Sequence, residues 1–359
     1  MLARHFFALL LAPALVAQAP PATSIDAAGR RAVIETLGQR LKANYVFPEV
    51  AEKLAVAIQA KALAGGYDAI TTTTAFAQAL SKDLRELGND GHFRIIVDPH
   101  FKDDDGSGDQ LPTKEELAQG HAEAESMAFG IEKLDRLPGN IGYMEIRGFG
   151  PPEFVGAAYS HAISLLAGSE AVIIDLRRNN GGKPESVAFL MSHFFPEGDA
   201  RHLNDIYDRP SNATQQFWTD PAAGPRFTGP VYVLTSHRTF SGGEECAYDF
   251  QTQKRATLVG DPTGGGANPV QPASLGQGLV LFNPTGRAIN PITKTNWEHV
   301  GVKPDIAVPA ADALKTAHAA ALKVIIQKVK DPGEREQLEV LLGRVERGEP
   351  EKPSYEPRH

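Results

Sequence analysis

The chain has 359 residues, of which 42% are hydrophobic and 22% charged, the balance of an ordinary globular protein large enough for roughly two domains. Its formal net charge of −8 argues against a general nucleic-acid binder, because such proteins need a basic surface to displace counterions. The single cysteine, Cys246, excludes an intrachain disulfide and a thiolate metal cluster, and its apolar neighbours favour a buried position.

The first residues are typical of a secretory signal peptide, which we predict over residues 1–17. A basic start precedes the apolar run 6–17, and small residues at Ala17 and Ala19 resemble a cleavage site. Cleavage after Ala17 is favoured, because cleavage after Ala19 would place Pro20 first in the mature chain. The run is too short for a stable membrane anchor, and no later stretch is long and apolar enough for one. We expect export to the periplasm or the extracellular space; the alternative is a disordered or amphipathic N-terminus.

The N-terminal part of the chain is predicted to be a small helical domain over residues 25–90. Apolar residues recur there at helical spacing, and breaks such as residues 45–48, which end in proline, separate the helices. Residues 91–139 contain a predicted strand at 93–97 and a polar connecting segment. Within that segment, residues 101–120 are polar and rich in Asp and Gly and are predicted to form a loop or a mobile surface segment.

The rest of the chain has the pattern of an α/β core, predicted over residues 140–310. Short apolar strands alternate there with helices, which indicates a layered α/β architecture. Residues 171–176 and 231–234 are continuous apolar runs, as expected of strands buried on both faces. Residues 311–347 are predicted to form two C-terminal helices, and the proline-containing tail 348–359 is predicted to be disordered.

A polar loop follows the first of these buried strands and reads Asp175-Leu176-Arg177-Arg178-Asn179-Asn180-Gly181-Gly182. In α/β sheets, functional groups collect beyond the C-terminal ends of the strands. The glycine pair can present bare backbone N–H groups to a developing oxyanion. The alternative is an ordinary strand-to-helix turn in which Asp175 and Arg177 pair and hold the loop.

The second loop contains Ser241, in the stretch Thr239-Phe240-Ser241-Gly242-Gly243-Glu244. A serine between a strand and a helix is presented as in the nucleophile elbow of other hydrolases. The helix N-terminus favours negative charge there, and Gly242 supplies an unhindered N–H. The alternative is structural, since Ser241 and Glu244 also fit the Ser-x-x-Glu capping box.

Two further stretches offer groups that could move a proton. His92 lies in a glycine-flanked turn between a helix and a strand, and Glu298 and His299 precede a Gly-x-x-Pro-Asp turn. A surface histidine and solvated loop charges are the alternative interpretations.

Together these stretches resemble the C-terminal processing (tail-specific) serine peptidase family, in its branch near interphotoreceptor retinoid-binding protein and the tricorn protease core. The ordered set covers almost the whole mature chain, although each stretch alone is weak. The matching stretches are Asn44-Tyr45-Val46-Phe47-Pro48, Asp90-Gly91-His92, Ala128-Phe129-Gly130-Ile131, Asn140-Ile141-Gly142-Tyr143, Asp175-Leu176-Arg177-x-Asn179-x-Gly181-Gly182, Thr239-Phe240-Ser241-Gly242-Gly243-Glu244, Leu258-Val259-Gly260-x-x-Thr263-x-Gly265 and Trp297-Glu298-x-x-Gly301-Val302-x-Pro304-Asp305-Ile306.

The resemblance implies a crotonase-like (ClpP-related) α/β core after a small helical domain, and peptide hydrolysis through an acyl-enzyme without cofactor or metal. By motif, Ser241 matches the nucleophile. The Ser-Lys branch has a lysine where this chain has Gly266, so the dyad is missing, and Lys254 is a poor substitute. The tricorn-like branch instead uses a histidine and a glutamate at the positions of His92 and Glu298.

The rest of the implied site consists of an oxyanion hole and candidate substrate contacts. Gly242, with Gly181 or Gly182, is expected to hold the oxyanion. The residues considered as possible contacts for a peptide or protein substrate are Arg178, Asn180 and Tyr143.

Residues 101–138 are too short and too polar for the PDZ domain of many family members. The alternatives to a peptidase are a non-catalytic carrier of a hydrophobic ligand or peptide on the same fold, and a non-peptide serine esterase. The oligomeric state stays open.

Overall fold

The computed structural model describes residues 23–103 and 113–349. The predicted signal peptide and most of the predicted disordered tail lie outside the described residues. The chain divides into two compact units, each made of several chain segments. The first unit comprises Met1–Glu123, His202–Trp218 and Gly265–Gly301, and the second comprises Ala124–Arg201, Thr219–Gly264 and Val302–His359.

Helices and strands are numbered separately, each in chain order. The helices of the described residues are α1 (Ala27–Asn44), α2 (Pro48–Leu63), α3 (Thr73–Gly88), α4 (Lys114–Ser126), α5 (Pro152–Leu166), α6 (Pro184–Ser192), α7 (Gly242–Thr252), α8 (Ala310–Lys328) and α9 (Pro332–Glu346). The strands are β1 (Arg94–Val97), β2 (Ile131–Leu137), β3 (Ile141–Ile146), β4 (Ala171–Asp175), β5 (His202–Asp208), β6 (Ala213–Trp218), β7 (Val231–Thr235), β8 (Thr257–Gly260), β9 (Val270–Gly276), β10 (Leu279–Pro284), β11 (Gly286–Ile289) and β12 (Ile306–Ala307).

The first unit contains the three predicted N-terminal helices, each with a recognisable start. Asp26 accepts the Gly29 N–H at 2.7 Å to cap α1, Pro48 opens α2, and Thr72 accepts the Ala75 N–H at 3.3 Å to cap α3. A cap satisfies amides that have no partner inside the helix, so these residues define where each helix begins.

The helices of the first unit do not form a core by themselves. They share one apolar core with β1, β9 and β10, which pair in the order β1-β10-β9. Leu37 and Leu80 from the helices pack in this core with Leu281 from β10. A second sheet, in the order β11-β5-β6, completes the unit.

The second unit is built on a six-stranded sheet in the order β12-β8-β7-β4-β3-β2, parallel except for the β2–β3 pair. Helix α8 covers one face, where Ala317 and Leu322 pack with Ile173 of β4. Val172 and Ile174 point to the opposite face and are also fully buried. The prediction of buried parallel strands is confirmed, as is the crotonase-like α/β fold class.

The prediction of a loop or a mobile surface segment over residues 101–120 was wrong for residues 114–120, which belong to α4. Thr113 and Glu116 form a reciprocal capping box: Thr113 N–H donates to Glu116 Oε2 at 2.8 Å, and Glu116 N–H donates to Thr113 Oγ1 at 3.1 Å. From Thr113 to Pro138 the described residues form α4, a 3₁₀ turn and β2, with no PDZ domain among them. A search of the described helices finds none with the length and apolar character needed to span a membrane.

Candidate active site

Two neighbouring strands of the second unit end side by side and bring two loops together. In the parallel pair β4–β7, Asp175 lies opposite Leu234, so the loops after both strands leave the same edge of the sheet. Thr239 Oγ1 donates to the Leu176 carbonyl at 2.8 Å, and Phe240 N–H donates to the Asn179 carbonyl at 3.0 Å. The loop that ends at Ser241 is therefore hydrogen-bonded to the loop over residues 175–182, which is called the glycine loop below.

Ser241 stands at the turn between β7 and α7 with a strained backbone. Its φ is 53° and its ψ is −123°, a conformation that non-glycine residues rarely adopt. A Cβ built on Gly181 would lie 2.7 Å from the Ser241 Cβ, so only glycine fits beside the serine. Strain of this kind is a known feature of nucleophile elbows, where it exposes the hydroxyl.

The buried Glu244 carboxylate holds the serine turn. Ser241 N–H donates to Glu244 Oε2 at 2.9 Å, and the Thr263 hydroxyl donates to Glu244 Oε1 at 2.5 Å. The Ser241 carbonyl accepts the Glu244 and Glu245 N–H groups at 2.8 and 2.9 Å. Ser241 and Glu244 also form the reciprocal capping box, so the cap and catalyst interpretations of Ser241 are compatible.

Backbone N–H groups of three glycines surround the serine turn. Gly181 N–H donates to Asn179 Oδ1 at 2.8 Å. Among the hydrogen bonds of residues 23–103 and 113–349, none uses the N–H of Gly182 or of Gly242. A Cβ on Gly242 would lie 3.0 Å from the Gly182 nitrogen, so these two glycines are close neighbours. Gly182 and Gly242 thus stay candidates for oxyanion donors, whereas the Gly181 N–H already has an acceptor in Asn179.

Asn179 is a site residue to which the sequence analysis gave no role. It is completely buried, and its Nδ2 donates to the Ile146 carbonyl at 3.0 Å while its Oδ1 accepts from Gly181. A Cβ on Gly243 would lie 2.5 Å from Asn179 Oδ1, so this side chain also packs against the start of α7. Asn179 lies just before a Gly-Gly pair at the end of a strand, and this position is the sequence feature that could have identified it as a site residue.

Among the residues considered for substrate contact, Tyr143 has a different role. Its hydroxyl is buried and donates to Asp175 Oδ2 at 2.7 Å. Arg177 Nε donates to Asp175 Oδ1 at 3.0 Å. The two residues therefore pair and hold the loop, as in the alternative interpretation of this stretch as a strand-to-helix turn. Tyr143 is buried and its hydroxyl is engaged by Asp175, and a substrate contact there stays a prediction.

The other two considered residues lie at the surface. Arg178 is half exposed and its Nε donates to Glu145 Oε1 at 2.8 Å, which orients its guanidinium. Asn180 is exposed and its N–H donates to the Arg147 carbonyl at 3.1 Å. Both stay candidates for substrate contact.

His92 belongs to the first unit, in the turn between α3 and β1. Its backbone N–H donates to Asp90 Oδ1 at 2.9 Å, and its Nδ1 lies 3.5 Å from the same oxygen. Asp90 is 1% exposed, and its Oδ2 accepts Asn268 Nδ2 at 2.9 Å and the Tyr45 hydroxyl at 3.3 Å. The histidine is therefore held by a buried carboxylate that sequence reasoning passed over.

The charge state of this carboxylate follows from its surroundings. Burial alone would raise the pKa of Asp90, but hydrogen bonds from His92 and Asn268 outweigh it, and the net pKa is lowered. For Tyr45, burial raises the pKa well above its ordinary range, and the charge of Asp90 and its hydrogen bond act in the same direction. At neutral pH Asp90 is charged and Tyr45 is a neutral donor.

Glu298 lies in the same unit and is anchored by its own loop. Ala267 N–H donates to Glu298 Oε2, and Asn296 Oδ1 accepts the Glu298 N–H at 3.0 Å. After burial and the charge and hydrogen bond of Asp90, the charge of Glu298 also contributes to the raised pKa of Tyr45. Its neighbour His299 is half exposed, with Nδ1 3.5 Å from Glu298 Oε1.

The lysine positions considered in the sequence offer no base for Ser241. The Gly266 carbonyl accepts the Trp297 indole N–H at 2.7 Å, which fixes the segment where the Ser-Lys branch has its lysine. Lys254 is exposed just beyond the far end of α7, roughly 20 Å along the helix from Ser241 at about 1.5 Å per residue.

Cys246, in the same helix, is fully buried, and burial raises its pKa well above the ordinary value. Within the described ranges, no group of three His, Cys, Asp or Glu residues could hold a metal.

Comparison with known proteins agrees with this architecture. A model described as Peptidase family S41 matches residues 140–308, and one described as the N-terminal domain of Peptidase_S41 in eukaryotic IRBP matches residues 27–127. A solved structure from Parabacteroides merdae covers 82% of this chain and 96% of its own, with 17% identity and a TM-score of 0.55. That likeness shows the fold.

Two curated relatives match part of the chain. The chloroplastic carboxyl-terminal-processing peptidase 2 of Arabidopsis thaliana is 30% identical over 192 residues, 49% of this chain and 35% of that protein. The carboxyl-terminal-processing protease of Synechocystis sp. is 32% identical over 135 residues, 36% of this chain and 30% of that protein. The match thus spans about a third of the length of each relative.

The part of the chain that carries the Ser241 turn and the glycine loop is the part that the model described as Peptidase family S41 matches. Residues 140–308 therefore form a Peptidase family S41 domain, and residues 27–127 match the N-terminal domain of that family. The resemblance inferred from the ordered motifs is confirmed.

Proposed function

We propose that the protein is an exported serine peptidase that cleaves peptide bonds through an acyl-enzyme. Ser241 is the nucleophile, His92 the general base and then acid, and Glu298 the carboxylate that stabilises the imidazolium. The observation that carries the proposal is the strained turn at Ser241, next to the N–H groups of Gly182 and Gly242, which make no hydrogen bond to the part of the chain that the structure describes.

In the proposed reaction, His92 takes the proton of the Ser241 hydroxyl as Oγ attacks the substrate carbonyl. The Gly182 and Gly242 N–H groups hold the oxyanion of the tetrahedral intermediate. His92 then gives the proton to the leaving amine, and an ester links the acyl group to Ser241. Water, deprotonated by His92, hydrolyses this ester and restores the serine. The cycle needs no group beyond these side chains and water.

Glu298 supports the proposal as the acid partner of the histidine. Its carboxylate is largely buried and fixed by Ala267, so its charge acts without much solvent screening. Its effect on Tyr45, which contacts Asp90 beside His92, indicates that its charge acts on the same cluster. A triad carboxylate of this kind stabilises the imidazolium and is not itself protonated.

A fluorophosphonate probe tests the nucleophile directly, because it forms a covalent bond with an activated serine. We expect the parent and an exposed-serine control, Ser211→Ala, to be labelled, and Ser241→Ala to be unlabelled. Equal labelling of Ser241→Ala would contradict the assignment. Labelling without cleavage of a peptide library would favour the esterase, and an unlabelled parent would favour the ligand carrier.

Export is the part of the proposal that rests on the sequence alone. Expression of the full chain in a secreting host is expected to yield a mature protein that begins at Gln18. N-terminal sequencing of the exported fraction measures this. Retention of Met1 on protein confined to the cytoplasm would contradict export and would leave the assignment of Ser241 untouched.

A further inference from the structure

The Asp90 carboxylate is an unusual buried charge that the proposed triad does not use. It is 1% exposed, yet it stays charged because donors reach both of its oxygens. Oδ1 faces the backbone N–H and the Nδ1 of His92, and Oδ2 accepts from Tyr45 and Asn268. A buried carboxylate is costly unless such partners compensate it, so this cluster needs a reason beyond filling the core.

A second Asp-x-His turn in the same chain shows which part of this arrangement is local. Asp98 Oδ1 accepts the His100 N–H at 2.9 Å, the same contact and spacing as between Asp90 and His92. Residue His100 is exposed, whereas the His92 side chain is 8% exposed. The turn itself is therefore ordinary chain geometry. What distinguishes Asp90 is burial, the bonds from Tyr45 and Asn268, and the approach to the imidazole.

The donors from Tyr45 and Asn268 fix the carboxylate from the side away from the histidine. Tyr45 is itself held, because its carbonyl accepts Arg209 Nη1 at 2.5 Å and its ring lies 4.8 Å from that of Phe93. With Oδ2 occupied in this way, Oδ1 is left to act on His92. The carboxylate thus has a fixed orientation toward the histidine, which surface Asp-x-His turns lack.

We propose that Asp90 is a positioning residue of the peptidase, a second carboxylate that orients His92. It fixes the turn through the His92 N–H and keeps the imidazole proton on Nδ1, which leaves Nε2 to take the proton of Ser241. This inference rests on the proposed role of His92 as the base. It adds to the role proposed for Glu298 and does not replace it.

The variant Asp90→Asn separates charge from geometry, because its Oδ1 can still accept the His92 N–H. We expect kcat to fall at least about tenfold, part of the roughly 10²–10⁴-fold that a positioned base contributes, with KM little changed. An imidazole without its carboxylate loses its proton more readily. The acidic limb of the rate–pH profile therefore moves about one pH unit lower. The matched control Asp98→Asn is expected to keep the parent rate and profile.

Tyr45→Phe provides the opposite change and a second test should Asp90→Asn fail to fold. Without the tyrosine donor, more of the Asp90 charge acts on His92, so the acidic limb is expected to move to higher pH. The charge of Glu298 also acts on Tyr45, so Glu298→Gln is measured alongside to separate the contribution of Glu298 to the shift of the acidic limb. Arg209, which binds the Tyr45 carbonyl, is unchanged in both variants. The rates are read on folded protein, verified by circular dichroism.

The possible results separate this inference from the proposed function. An unchanged kcat and pH limb in Asp90→Asn, with His92→Ala inactive, would overturn the role of Asp90 and leave the peptidase proposal standing. A limb in Tyr45→Phe that is unmoved or moves to lower pH also counts against Asp90. Full activity of His92→Ala would overturn the proposed function itself, and the role of Asp90 with it.

Discussion

Replacing Ser241 by alanine is expected to lower kcat/KM for peptide hydrolysis by about 10⁶-fold, and His92→Ala by a similar factor. A serine hydroxyl is a weak nucleophile until a base takes its proton, so neither group works without the other. The residual rate over water then comes from the glycine N–H groups and from substrate binding.

The double variant Ser241→Ala/His92→Ala is the sharper form of this test. Members of one catalytic group are strongly non-additive, so the double variant is expected to be no slower than either single variant. Ser241 and His92 belong to different units of the chain. Comparing the two single variants with the double variant tests whether the two side chains act in one mechanism. Steady-state hydrolysis of a peptide substrate measures it, with the exposed-residue variants Ser211→Ala and His100→Ala as controls. Multiplying effects in the double variant would show two independent contributions and contradict the shared mechanism.

The parts of the fold that the sequence predicted well are those that hydrophobic burial dictates. Strand β4 is a continuous apolar run and α3 has a clear apolar stripe, and both form where they were expected. Strands β5 and β6 were missed, because five of the six residues of β6 are exposed and β5 is polar. Their pairing depends on partners elsewhere in the chain, which a local pattern does not contain.

The candidate site divides in the same way. The Ser241 turn and the glycine loop are readable because strained or crowded backbone demands particular residues locally, as at Gly181. Asp90 was passed over because its importance comes from Tyr45, 45 residues away, and Asn268, 178 residues away. The local Asp-x-His spacing alone does not distinguish Asp90 from Asp98, which makes the same turn at the surface. Only the fold separates the two.

Replacing Gly182 by alanine is expected to affect both stability and catalysis strongly. An added Cβ would lie 2.1 Å from the Phe149 carbonyl oxygen, and the backbone φ of 140° is one that alanine rarely adopts. Overpacking and an unfavourable φ together are expected to lower the free energy of unfolding by about 2–5 kcal/mol. In addition, the clash with Phe149 displaces an N–H that we propose as an oxyanion donor, and loss of such a donor typically costs about 10²–10³ in kcat.

Gly198→Ala is the matched control for this prediction. Gly198 also has a positive φ, 78°, but an added Cβ would meet nothing within 4 Å. Gly198→Ala therefore has the unfavourable φ without the clash. We expect it to lower the free energy of unfolding by about 1 kcal/mol and to leave kcat unchanged. Chemical denaturation gives the free energies of unfolding, and kcat is measured at a temperature where both variants are folded. If Gly182→Ala matched Gly198→Ala in stability and rate, neither the close contact with Phe149 nor the proposed donor would hold. If Gly182→Ala lost stability but kept its kcat, the oxyanion role would belong to Gly242 with another partner.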